Sequence, residues 1–311
     1  MAHTRTTFFV LTLTAIICTT FLTGCPPQQQ PPPTLPPLTA AQEFNLLNAQ
    51  AAAIETLRLT GDVNLTFTDS KGKHSYDAHG VLMIDKRPAN PNLLLTGTYL
   101  GQEVFEMGMN QENYWLIDYN DKIAYVGTPN LADSLPEDIA PQAPLSPTTL
   151  RPQRILSLLA ITPLVDNATE HTVFFTGAPP YYGTNVVVIQ MPGDQRAWVE
   201  RRLCVNAYDD RVQGVTLYTR DGFFIASSKL SDYRPITSDG ESSDSTGVSG
   251  PQIPFLIDIK YVAANAGLVI KVDKAWLSFK GDPNYIFAMP NLQGLRVVDL
   301  DDPANWPTTN Q

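Results

Sequence analysis

The side chains able to do chemistry are few and scattered. Apart from His3, histidine occurs at His74, His79 and His171, and no HExxH, CxxC, GxSxG or Walker-type glycine loop brings reactive groups together. His74 and His79 lie five residues apart on a strand-like stretch. An odd spacing on a strand sends the two rings to opposite faces, so they cannot share an ion, and both are expected at the surface. Cys204 stands in the run from Ala197 to Ala207 with no base or cation motif around it. A reactive thiolate needs an electropositive setting, so a packed or quiet thiol is expected. Asp209-Asp210 and the group Asp299, Asp301 and Asp302 fall in turns, where Asp is favoured for backbone reasons. Glycoside chemistry needs two carboxylates facing across a cleft, which such turns do not supply. Asp239, Glu241 and Asp244 lack the spacing of a calcium-loop ligand ladder. The resulting reading is non-enzymatic: no catalytic residue, no metal and no cofactor.

Cys25 is different, because its surroundings define a reaction. The apolar run from Phe8 ends in Leu22-Thr23-Gly24-Cys25, with Arg5 the only fixed positive charge ahead of it. This resembles a bacterial lipoprotein signal with its lipobox. The resemblance implies a diacylglyceryl group on the Cys25 sulfur, cleavage between Gly24 and Cys25, and acylation of the new N-terminus. The alternative is a single membrane-spanning helix or uncleaved anchor, since about 20 apolar residues span a bilayer. Several Thr in the run and the small residues before Cys25 favour the cleaved signal.

Charge agrees with an exported body. The chain carries 21 basic and 31 acidic residues, and residues 1–24 contain only Arg5 among them, which leaves 20 against 31, or −11. An acidic surface is a poor partner for polyanions, because nucleic-acid affinity comes largely from basic groups displacing counterions. Nucleic acid is therefore set aside, and membrane attachment would rest on the acyl chains of Cys25 rather than on a polybasic patch. Once Cys18 leaves with the signal and Cys25 is acylated, Cys204 is the one remaining thiol, so no intramolecular disulfide forms.

Residues 1–24 thus read as signal peptide and 25–38 as lipidated cysteine plus tether. Seven of the twelve residues from Pro26 to Pro37 are proline, which favours extended polyproline II over any packed structure. At about 3.1 Å per residue, Pro26 to Leu38 would hold the body up to about 40 Å from the lipid. A ligand for a peptide-binding module is the rival use of such a stretch. Residues 39–311 read as one domain. It opens with a predicted helix from Thr39 to Leu59: Thr39 and Gln42 fit a capping box, Phe44, Leu47, Ala51, Ile54 and Leu57 share a face, and Gly61 stops it. Asn48, Gln50 and Glu55 are expected to face outward.

From Gly61 the apolar period falls from 3.6 to 2. Val63, Leu65 and Phe67 alternate with polar residues, and Lys71-Gly72-Lys73 turns the chain into His74 to Asp85. Strands are predicted at 93–100, 102–109, 113–119, 122–127, 172–176, 184–191, 197–207, 213–220, 223–233, 255–262 and 268–279, separated by turn residues. Such alternation predicts an antiparallel sheet with one apolar and one wetter face. Two loops interrupt it: the proline-rich 129–152, followed by a short helix at 154–161, and the Ser-, Gly- and Asp-rich 237–252.

The order of these elements carries a resemblance. A lipobox, an amphipathic helix, about a dozen antiparallel strands with a helical insertion midway, and the closing stretch IFAMPNLQGLRVVDLDD with Phe287, Pro290, Gly294 and Val297-Val298-Asp299 resemble the LolA/LolB family of periplasmic lipoprotein carriers and receptors. The fold class expected is mostly β (α+β): a curled antiparallel sheet, or unclosed β-barrel, with an amphipathic helix on its concave face. The resemblance implies that acyl chains bind in that hollow, and it places Phe44, Leu47, Ile54, Val63, Leu65, Phe67, Leu82 and Ile84 along its wall. The partners implied are the membrane and a lipid or lipoprotein cargo. Pro26 after Cys25, rather than Asp, implies the periplasmic face of the outer membrane. An interaction lipoprotein with a filled core is the other function consistent with the same pattern, because an alternating strand looks alike around a cavity or a solid interior.

Overall fold

The computed structural model describes residues 38–69, 72–129, 152–176, 183–191, 197–206, 208–236, 250–261 and 266–302. The signal peptide, Cys25, the tether and most of the loops 129–152 and 237–252 lie outside the described residues.

The first helix starts as its sequence requires. Gln42 N–H donates to Thr39 Oγ1 and Thr39 N–H donates to Gln42 Oε1 at 2.9 Å, closing both halves of the capping box. It ends earlier than the period suggests: α1 spans Ala40–Ala53, and β1 is already running from Thr56 to Asp69. Leu57 satisfies both patterns, lying three residues past Ile54 on a helical face and two before Leu59 on a strand. Pairing decides, because Thr56 to Thr60 bond to Val81–Asp85 on one side and Arg58 to Thr60 to Lys274–Trp276 on the other. Gly61 is therefore not a helix stop. It sits at a bulge against β13, where an added Cβ would come within 2.0 Å of the Lys271 carbonyl. Gly61→Ala is expected to lower stability by about 1 to 3 kcal/mol in urea unfolding through this overpacking.

The remaining elements follow in chain order: β2 (Gly72–Asp85), β3 (Asn92–Tyr99), β4 (Gln102–Met109), β5 (Tyr114–Asp118), β6 (Ile123–Gly127), α2 (Pro152–Leu158), β7 (Glu170–Thr176), β8 (Gly183–Gln190), β9 (Trp198–Asn206), β10 (Val212–Tyr218), β11 (Phe224–Pro235), β12 (Gln252–Tyr261), β13 (Ala266–Trp276), α3 (Pro283–Ile286) and β14 (Arg296–Asp299). They form one 14-stranded sheet in the order β14-β6-β5-β4-β3-β2-β1-β13-β12-β11-β10-β9-β8-β7. Two meanders, β1 to β6 and β7 to β13, are thus joined where β1 pairs with β13. Every neighbouring pair is antiparallel except β14, which lies parallel to β6. The sheet ends at β14 and β7 and does not close. The β11–β12 hairpin is zipped further than the composition suggests, with Pro235 opposite Gln252.

The sheet curls enough for strands that are not neighbours to touch. Tyr76 on β2 reaches Asp118 on β5, although β3 and β4 lie between them in the sheet. On the concave side, alternate residues of nearly every strand join one buried cluster, including Leu59, Leu65, Leu82, Ile84, Leu95, Met107, Val186, Val215, Ile257 and Ile270. The other face is not uniformly wet. Over β3 to β6 it carries a second cluster of Leu94, Trp115, Ile117 and Ala124, covered by Phe279, Ile286, Phe287, Met289, Leu292 and Leu295 from the C-terminal segment. All five residues of β5 are consequently buried. The expectation of one wet face holds for β1, where Asp62 is exposed and Val63 is not, and fails where the closing segment wraps back.

Candidate functional site

The concave face is the site with the most apolar surface, and seven of the eight residues expected along it lie there buried: Leu47, Ile54, Val63, Leu65, Phe67, Leu82 and Ile84. Phe44 is partly buried against the same cluster and meets Phe174 edge to face, with centroids 6.5 Å apart. Val63, Leu65, Phe67, Leu82 and Ile84 stand at i, i+2 spacing on one face of β1 and β2. Leu47 of α1 and Ile54 at its end join the same cluster, while Phe44 reaches β7. A second helix, α2, covers the same face. Its Ile155, Leu156 and Leu158, with Leu159, Ile161 and Leu164 beyond it, all belong to the concave cluster. The sequence placed a helix there but gave no sign that it fills the hollow, since seven residues are too few for a face to be read from periodicity.

The two helices are fastened by a small set of polar contacts. Lys86 Nζ donates to the Ala51 carbonyl at 2.5 Å and to the Ile161 carbonyl at 2.7 Å, tying the C-terminal end of α1 to the segment after α2. A cation at a helix C-terminus is favourable for the dipole as well. Asn48 exchanges two hydrogen bonds with the backbone of Leu164. It therefore faces the second covering segment rather than solvent, which corrects the outward placement expected from its polarity. Ser228 Oγ donates to the Leu158 carbonyl at 2.6 Å and accepts from Val215 N–H at 3.1 Å. Arg201 Nη2 donates to the Pro163 carbonyl at 2.9 Å. Glu43, on the first turn of α1, is buried with one carboxylate oxygen unpartnered among the described residues. Burial first, and then the nearby Asp210 carboxylate, raise its pKa, partly offset by a hydrogen bond from Thr184. A carboxyl so placed favours its neutral form and suits an apolar surface.

Lys86 makes the fastening sensitive to pH. Burial lowers its pKa to about 8, with the nearby Glu55 carboxylate acting in the other direction. The folded state thus holds fewer protons than the unfolded one between about pH 8 and the ordinary lysine value near 10.4, so the contribution of this group to stability rises with pH across that window. Denaturant unfolding at pH 7.5 and 9.5 is expected to show a gain of order 1 kcal/mol in the native chain relative to Lys86→Met. Equal pH responses in the two proteins would contradict it.

Residues singled out for chemistry are dispersed as follows. His79 is exposed on the convex face, as expected, but His74 is not a surface residue: its side chain is 14% exposed, turned to the concave side and stacked on Phe67 at 4.7 Å. The alternation that separates the two rings also sends one of them inward. Cys204 is an exposed free thiol, with Sγ 3.6 Å from Asn185 Oδ1. His171 Nδ1 lies 2.9 Å from Asp166 Oδ1, both exposed. Asp301 Oδ2 accepts from the backbone and the hydroxyl of Thr128, which ties down the chain after β14. Leu100, at the β3–β4 turn, has φ +51° and is 88% exposed beside the exposed Tyr99.

No family model matches the sequence, and no curated protein matches it. Among solved structures the fold is similar to a putative outer membrane lipoprotein-sorting protein domain from Vibrio parahaemolyticus, at 9% identity over 79% of this chain and 96% of that one, with a TM-score of 0.46. It is also similar to a LolA superfamily protein from Nitrosomonas europaea, at 11% identity over 79% and 97%, TM-score 0.41. A DUF1329 family protein from Desulfovibrio piger aligns at 9% identity over 78% and 95%, TM-score 0.42. At these identities the likeness is one of fold. The unclosed curled sheet with helices on its concave face is the architecture that the LolA/LolB resemblance of the sequence implied.

Proposed function

We propose that this chain is a lipid-anchored protein of the bacterial envelope that takes the acyl chains of a lipid or lipoprotein onto the concave face of its sheet. Cys25 carries the anchor, Pro26 to Pro37 the stand-off, and the periplasmic face of the outer membrane is the favoured location. The observation that carries the reading is how the concave face is covered. A continuous apolar surface spanning both meanders is closed by a 14-residue helix and a 7-residue helix, held by side chains such as Lys86, Asn48 and Ser228 rather than by a second sheet. Displacing either helix would open apolar area to an acyl chain, and each buried CH₂ of that chain gains about 0.8 kcal/mol, set against the hydrogen bonds of Lys86, Asn48, Ser228 and Arg201 that the move would break. Leu100 and Tyr99, apolar and exposed at the β3–β4 tip, suit contact with a lipid surface.

One observation favours the second reading, an interaction lipoprotein with a filled core. Leu65, Ile84, Leu93 and Ile257 are already fully buried beneath the helices. Binding of a fluorescent fatty acid by the chain from residue 26 onward, purified without detergent, separates the two. Leu65→Phe is expected to reduce binding with little change in Tm, and Asn64→Glu, on the other strand face, to leave binding unchanged. No binding by the native chain, together with a Tm lowered by Leu65→Phe, would transfer the assignment to the interaction protein.

A further inference from the structure

The distal end of the β1–β2 hairpin lacks a strand on its β3 side. β2 pairs with β3 from His79 onward, so residues 72–78 stand beyond that ladder. What crosses the gap is side-chain chemistry. Tyr76 packs against Phe105 on β4, with centroids 6.0 Å apart, and its hydroxyl donates to Asp118 Oδ2 at 2.5 Å. Asp118 Oδ1 accepts Asp121 N–H at 2.9 Å, which folds the β5–β6 turn back over the same carboxylate. His74 Nδ1 lies 3.6 Å from Asp118 Oδ2, and one ligand atom from each of His74, Asp118 and Asp121 lies within 4.8 Å of the other two.

Two features distinguish this group from an ordinary polar cluster. The 3.6 Å separation of His74 Nδ1 from the carboxylate is too long for a good hydrogen bond. It is close to the roughly 3.4 Å edge between two ligands that each sit about 2.0 to 2.2 Å from one tetrahedral ion. Second, the side chain of Asp118 is only 4% exposed, and among the described residues no Lys or Arg forms an ion pair with it. A carboxylate that deep calls for a countercharge. The donors are also held in place: the His74 ring is fixed by stacking on Phe67 at an interplanar angle of 12°, and the Asp118 carboxylate by the Tyr76 hydroxyl and the Asp121 amide. Metal ligands oriented by such outer contacts are the common arrangement.

We propose that His74, Asp118 and Asp121 form a binding site for a divalent transition-metal ion of the zinc type, clasping the free end of the β1–β2 hairpin to the β5–β6 turn. One imidazole and two carboxylates, with a fourth position left to water, match zinc chemistry, whereas Ca²⁺ takes six to eight oxygen ligands and Mg²⁺ keeps most of its water. The site lies at the rim of the concave face and does not depend on acyl binding there. A second group, Asp62, His79 and Asp273, also lies within ligand distance but on the convex face with all three exposed, and Lys271 opposite Asp62 already supplies positive charge. It serves as the control.

The test is calorimetric titration of Zn²⁺ into chelator-treated full-length protein in detergent, with Co²⁺ absorption as a report on coordination number. One equivalent should bind with micromolar or tighter affinity, raise Tm, and give the intense visible bands of a four-coordinate cobalt site. His74→Gln and Asp121→Asn should each weaken binding at least tenfold, and His79→Gln should leave it unchanged. Asp121 is on a turn, so its variant tests the site even if Asp118→Asn does not fold. Absence of binding, or binding that survives His74→Gln and is lost in His79→Gln, would overturn the assignment.

Discussion

Trp115→Ala is expected to lower the stability of the chain by about 3 to 5 kcal/mol, the range for removing a fully buried aromatic side chain. Trp115 is completely buried in the convex cluster. Its indole N–H donates at 2.8 Å to Glu106 Oε1, whose partner oxygen accepts from Tyr119 at 3.1 Å. Burial holds the Glu106 carboxyl above the usual range, against the two hydrogen bonds that pull it down, so losing the indole removes one of the contacts that make its burial tolerable. The loss should also release the C-terminal segment, because Phe287 and Leu292 share this cluster with Trp115. Urea unfolding and limited proteolysis after residue 281 provide the two readouts. A change below about 1 kcal/mol would show that the closing segment is not a structural part of the fold, since ordinary surface substitutions stay within about 0.5 kcal/mol.

The second large effect concerns α2. Ile155 and Leu158 are fully buried on the concave face, so the double variant Ile155→Ala, Leu158→Ala is expected to lose about 2 to 5 kcal/mol at each position. On the carrier reading this loss has a remedy that an ordinary core lacks. A long-chain fatty acid would enter the vacated apolar volume and raise Tm in proportion to the logarithm of its concentration, as ligand binding to the folded state requires. Calorimetric scans of the variant with and without the fatty acid decide it. A destabilised variant whose Tm ignores the fatty acid would mean that the concave face is a solid core, and would favour the interaction reading.

Much of the architecture was legible along the chain because its signals are local. Thr39 and Gln42 stand three residues apart and closed the capping box that their types imply. Gln102–Met109 was bounded by Gly101 and Asn110 and is a strand with those limits. β1 and β2 form the hairpin that Lys71-Gly72-Lys73 suggested, but their ladder runs past His74 to include Lys73 and Gly72, opposite Thr68 and Asp69. Periodicity also fixed the side of the sheet on which Val63, Leu65 and Phe67 are buried, because a strand offers only two faces and a one-residue slip would invert all of them.

What the sequence could not determine is which surfaces meet. Leu57 fits a helix and a strand equally, and only pairing with Ile84, 27 residues further along the chain, made it part of β1. Trp115 and Ile117 alternate with Tyr114 and Leu116, so β5 reads as uniformly apolar; that its second face is covered by residues 279–295 follows from the parallel seating of β14 on β6. Asn48 and His74 were placed in water on the strength of their polarity. The curl of the sheet and the path of the chain after α2 instead set Leu164 and Asp118 beside them. Local pattern determined the start of α1 and most of the strands from β1 to β13, because those depend on neighbours a few residues away, while the end of α1, the short helix α3 and β14 were not readable from it. The tertiary structure alone decided its second core, the covering of its concave face and the His74–Asp118–Asp121 cluster, because each rests on contacts between residues more than forty positions apart, for which a single sequence carries no period.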